Sequence, residues 1–162
     1  MISRKDSVCT FHVLMNRLSD RIKKNGSHIC NVEENWWIGE GETKSFVDCV
    51  TSVKIGVKER TDIEIDNDMF FMMGLVSCYH ETEHVIQISQ YQHETGALAQ
   101  ILTVNNIACG MNPVFYIENF SQNPKELDAQ LYGVYAAYLY CCHCFGKEEA
   151  ERLMCHYDNP CV

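Results

Sequence analysis

The sequence predicts an α+β fold, with helices packed on a small antiparallel or mixed sheet. Three observations carry that expectation. At 162 residues and 46% apolar content, the chain suits one hydrophobic core, so residues 1–162 read as a single domain. Residues 5–24, 67–90, 123–140 and 147–155 repeat apolar side chains at helical spacing. Residues 29–66 instead show short alternating stretches broken by turn residues.

The elements follow in order. In the first helix Val8, Phe11, Leu14, Met15, Leu18 and Ile22 form the buried stripe, and Asn25-Gly26 ends it. In the β region Glu40-Gly41-Glu42 marks a turn and residues 46–50 a strand. Val53, Ile55 and Val57 alternate with period two, and Glu59-Arg60-Thr61-Asp62 marks another turn. Asn67 and Asp68 are competent caps for the long helix that follows. Its first half, Met69-Phe70-Phe71-Met72-Met73-Gly74-Leu75-Val76, is apolar nearly all round, which places it inside the domain. Residues 95–109 read as a short helix closed by Gly110, and residues 111–122 as a loop.

The second half of the long helix carries His80-Glu81-Thr82-Glu83-His84, an H-E-x-x-H pattern. Two histidines four apart on a helix point the same way, because about 3.6 residues complete a turn. Zinc needs such convergence, since it takes imidazole nitrogens at about 2.0–2.1 Å. Glu81 lies about 100° around the helix, where it misses the ion yet reaches a metal-activated water as general base. Phe71, Leu75, Cys78, Val85 and Ile86 fall on the opposite side and supply an apolar floor. The bland alternative is two histidines on an exposed helix face.

A third ligand is expected from the next helix. Asn123-Pro124 reads as an N-cap followed by proline at the first helical position, with Glu126 in the first turn. Glu126 shares its face with Ala129, Gly133, Ala136 and Ala137, whereas Asp128 points away. Glycine within a helix costs about 1 kcal/mol against alanine, so Gly133 calls for a reason. Close approach of the histidine helix is one, and it would bring Glu126 to the ion. A small-residue packing stripe with a surface acid is the other reading.

With these residues the chain resembles the gluzincins, zinc metallopeptidases whose third ligand is a glutamate on a downstream E-x-x-A helix. In order of elements it looks most like their compact members. The resemblance covers residues 67–90 and 123–140 well and the remainder only as an order of elements. It implies a zincin-like fold, with the sheet packed against an active-site helix and a glutamate-bearing helix. It further implies Zn2+ held by His80, His84 and Glu126, with Glu81 as catalytic base and a protein or peptide as substrate. Many gluzincins carry Asp or Asn just after the alanine, to orient a histidine; Gln130 stands there instead, which implies a weaker or altered support. The metzincin extension is absent, because Gln87 and Gln90 occupy its glycine and third-histidine positions. Zincins bind an extended peptide along a sheet edge, and residues 53–57 are the candidate edge. Tyr79, Tyr91, His93, Tyr116 and Tyr132 are candidate donors to an oxyanion.

Composition narrows the setting. The opening residues resemble no leader, and no run reaches the roughly 18–20 apolar residues that span a bilayer, so a cytoplasmic protein without membrane contact is expected. The ten cysteines are then expected as thiols, with Cys9, Cys30, Cys49, Cys78 and Cys109 serving as small core hydrophobes. Cys141, Cys144, Cys155 and Cys161 compose a less favoured second zinc site. A net charge of −9 argues against direct nucleic-acid binding, which rests on phosphate neutralisation. The rival readings are a non-enzymatic acidic protein that occupies a basic partner, and a zincin scaffold that keeps a structural zinc without activity. Oligomeric state is not readable.

Overall fold

A computed structural model describes residues 2–22, 29–46, 49–62, 64–91 and 124–158. They form four helices and a three-stranded mixed sheet, the α+β layout expected. Helix α1 (Arg4–Ile22) buries Phe11, Met15, Leu18 and Ile22, with Val8 and Leu14 partly buried beside them. Its i, i+3, i+4 spacing turns these side chains to one face. The expected Asn25-Gly26 stop and the segment 95–122 lie outside the described residues.

Strands β1 (Ile29–Trp37), β2 (Gly41–Phe46) and β3 (Cys49–Lys58) stand in the order β1-β3-β2. β3 runs parallel to β1 and antiparallel to β2. The connection between β1 and β2 therefore arches over the end of β3, and Glu40 O accepts from Gly56 N while Lys58 O accepts from Ile38 N. Its turn glycine is Gly39, at φ 89°, a conformation glycine adopts without steric penalty. Gly41, expected in the turn, instead opens β2. Of the strand expected over residues 46–50, Phe46 closes β2 and Cys49 opens β3, and residues 47 and 48 lie outside the described residues.

The alternation of Val53 and Ile55 holds, and both are fully buried. Residues 53–57 are nevertheless not an edge: β3 is paired on both sides, and β1 and β2 are the edge strands of the described sheet. Alternation reports which face is buried and is the same for a central strand as for an edge one.

Helix α2 (Asn67–Tyr91) touches α1, β2 and β3 as well as the two helices that follow. Its cap is Asp66, one residue earlier than expected, whose Oδ1 accepts from Met69 N at 2.8 Å. Phe70, Phe71, Met72, Leu75 and Cys78 are all buried, in keeping with the apolar first half. Helix α3 (Pro124–Phe145) packs along α2, and α4 (Lys147–Asp158) folds back after Gly146. Ala129, Gly133 and Ala137 form the buried small-residue stripe of α3 and Ala136 is partly buried. Among the described residues no helix is long and apolar enough to cross a membrane.

Candidate metal centre

α2 and α3 approach closely because Gly133 has no side chain. A Cβ there would meet the Val76 carbonyl oxygen at 2.9 Å and the His80 backbone nitrogen at 3.2 Å. Two turns earlier on α3, that closeness lets a glutamate reach α2. Glu126 Oε2 lies 3.1 Å from His80 Nε2 and 3.3 Å from His84 Nε2. Glu126 and His84 are buried, and His80 is nearly so.

His80, Glu81 and His84 present ligand atoms within 4.8 Å of one another, the one such grouping of His, Cys, Asp and Glu among the described residues. The four side chains singled out by sequence thus converge. Glu81 has a further partner on the sheet: Thr43 Oγ1 on β2 donates to Glu81 Oε2 at 2.6 Å. A Cβ on Gly41 would sit 2.4 Å from Glu81 Oε1, so the glycine makes room for this carboxylate.

Each imidazole is also fixed from behind. His80 Nδ1 lies 3.1 Å from Gln130 Oε1, and His84 Nδ1 lies 2.9 Å from Gln87 Oε1. Gln130, expected to give a weaker or altered support, thus contacts His80. Its Nε2 donates in turn to Tyr157 Oη at 3.3 Å. An amide oxygen accepts from the imidazole N–H without the negative charge that an aspartate would bring.

The electrostatics follow from crowding these groups together. Burial works against ionised Glu126, but hydrogen bonds from His80 and His84 and their charge outweigh it and hold it well below the usual carboxylate range. Burial likewise disfavours a charged His84, yet the hydrogen bond and charge of Glu126 raise its pKa above the ordinary value. Burial raises Glu81, while the charge of His84 and the Thr43 hydrogen bond pull partly the other way.

The same donor set could hold a cation. With their outer nitrogens protonated toward the glutamines, neutral rings turn bare Nε2 lone pairs toward a carboxylate oxygen. In that arrangement a second ring proton or a metal ion would satisfy the facing lone pairs. The two imidazoles and one carboxylate, oriented and buried, fit a metal ion.

The site opens into a cleft of about 750 Å³ lined by β2, α2, α3 and α4 residues. Of the expected oxyanion donors, Tyr79 and Tyr132 are outside this lining, the side chain of Tyr91 is not described, and His93 and Tyr116 lie outside the described residues. Among the described residues the tyrosine that lines the cleft is Tyr157, which falls beyond the helix end expected at residue 155. The thiols give no second centre among the described residues. Cys141 is buried with its Sγ 3.8 Å from Met72 Sδ, Cys144 and Cys155 are exposed, and Cys161 is not described. Of the expected core cysteines, Cys78 is buried and Cys30 partly so, but Cys9 is exposed. The side chain of Cys49 is not described, and Cys109 lies outside the described residues.

Comparison with family models, with curated proteins and with solved structures finds no match for this chain.

Proposed function

We propose that this chain is a zinc-dependent endopeptidase of gluzincin type, with zinc held by His80, His84 and Glu126. One observation carries the reading. A tetrahedral shell with ligands at about 2.0–2.1 Å has edges of about 3.3–3.4 Å. Glu126 Oε2 stands 3.1 and 3.3 Å from the two Nε2 atoms, close to that spacing. Glu126 rather than Glu81 is the third ligand, because Thr43 draws the Glu81 carboxylate toward β2.

A bound zinc ion would lower the pKa of a water toward about 7 and polarise a substrate carbonyl. The remaining work falls to side chains. Glu81 takes the proton from the attacking water and passes it to the leaving amine. Its burial favours that exchange by keeping its pKa raised, closer to the working range of a base. β2 is an edge strand whose Thr43 touches the base, so an extended peptide added to β2 lies across the reacting groups.

The test is cleavage of a peptide library by the zinc-loaded protein, beside its Glu81→Gln variant. The reading expects cleavage by the parent protein and a loss of roughly a hundredfold or more in the variant, with zinc content unchanged. Zinc without cleavage in either protein would favour a structural metal site. A protein that takes up no zinc would favour the acidic binding protein.

A further inference from the structure

We infer that Gln87 is a positioning residue that locks the tautomer of His84 and ties the histidine helix to the turn bearing Glu126. The inference rests on the metal reading for its purpose but on donor and acceptor chemistry for its geometry. Gln87 is fully buried, three residues past His84 on the same face of α2. Burying an amide is unfavourable unless its polar atoms are satisfied, and an apolar side chain would fill the space at lower cost. Here both ends are used. Nε2 donates to Lys125 O at 2.9 Å and to Asp128 Oδ2 at 2.9 Å, and Oε1 faces His84 Nδ1 at 2.9 Å.

The orientation of the amide is forced. A main-chain carbonyl can only accept, so the nitrogen of Gln87 must face Lys125. Its oxygen is then left for His84, and an amide oxygen can only accept. The proton must therefore sit on Nδ1 of the ring. In the neutral ring this leaves Nε2 bare and directed at Glu126, as coordination of an ion requires. The partners on α3 are equally specific. Lys125 and Asp128 flank Glu126 in the first two turns of that helix, so one side chain registers both ligands against each other. Gln87 occupies the place where a metzincin has glycine, and neither the Gln130 contact nor the Thr43 contact duplicates its connection.

Two variants separate the two roles. Gln87→Met keeps the volume and removes every hydrogen bond, whereas Gln87→Glu keeps an acceptor for His84 and discards the donors to α3. The readouts are ring nitrogen shifts of His84 by ¹⁵N NMR in the metal-free protein at alkaline pH, zinc affinity by competition with a chromophoric chelator, and thermal melting. The parent protein should show the Nδ1–H tautomer. Gln87→Met should move His84 to the Nε2–H tautomer, now donating to Glu126, and weaken zinc binding roughly 10- to 100-fold. Gln87→Glu should retain the Nδ1–H tautomer while melting at a lower temperature. An Nε2–H tautomer in the parent protein overturns the inference, as does a Gln87→Met variant with unchanged tautomer and zinc affinity. If the parent protein shows the Nδ1–H tautomer but binds no zinc, the peptidase reading fails and the ring-locking role of Gln87 stands.

Discussion

Gly133 and Val76 bring the two ligand helices together: a Cβ on Gly133 would lie 2.9 Å from the Val76 carbonyl oxygen, and 3.3 Å from the Cβ of His80. The contact is backbone against backbone, so no side chain can swing aside to relieve it. Gly133→Val should therefore force α3 away from α2. Overpacking of this kind destabilises by about 1–3 kcal/mol. Because Glu126 is carried on the moved helix, zinc affinity should fall with stability, and thermal melting with zinc titration checks both. Gly133→Ala should be milder, since alanine's helix propensity, worth about 1 kcal/mol, offsets part of the clash. A valine variant with parental melting and zinc binding would show that the close approach is unimportant.

The bond from Thr43 to Glu81 predicts a kinetic effect without a metal effect. Thr43→Val removes a 2.6 Å hydrogen bond to a buried carboxylate. A hydrogen bond to a charged group is worth about 1.5–3 kcal/mol, so kcat/KM should drop roughly 10- to 100-fold while zinc content holds. The bond lowers the Glu81 pKa, so its removal should raise that pKa further and move the acid limb of the pH–rate profile to higher pH. Gly41→Ala should impair turnover in the same direction by displacing the carboxylate. Zinc loss in either variant would assign Glu81 to the ion rather than to the proton.

The convergence of His80, His84 and Glu126 was legible because each depends on local spacing: four residues on one helix, and a first-turn acid sharing a face with a glycine on another. Gly133 could be read for the same reason, as an anomaly within its helix. The supporting residues were less visible. Thr43 lies on another element, and nothing in its neighbours points to Glu81. Gln87 did carry a signal, being three residues past His84, but read against a motif it registered only as a missing glycine. The sheet order escaped altogether. β3 enters between two strands joined by a short turn, and only long-range pairing decides which strand becomes the central one.

Linkage between protons and metal gives a pH prediction for the metal-free protein. Glu126 is depressed from an ordinary value of 4.5, so its contribution to stability is full above that value and is lost as pH falls through the lowered one. His84 is raised from 6.5, so its contribution is full below that value and is lost as pH rises through the raised one. The two describe a single coupled pair and are not added. The metal-free pair should thus support the fold most fully between 4.5 and 6.5. Zinc affinity should strengthen toward higher pH, because the ring proton must leave before the ion binds. Melting curves with and without zinc across this range check both signs. Stabilisation by zinc that grows as pH falls would contradict the assignment.

Diffraction from zinc-soaked crystals on either side of the zinc absorption edge tests the site itself. The account predicts one anomalous peak per chain, about 2.0–2.1 Å from His80 Nε2 and His84 Nε2, with a Glu126 carboxylate oxygen as the third protein ligand. It also predicts that Glu81 stays on Thr43 and outside bonding distance of the peak. No peak between the histidines, or a peak bound by Glu81 with Glu126 turned away, would contradict it.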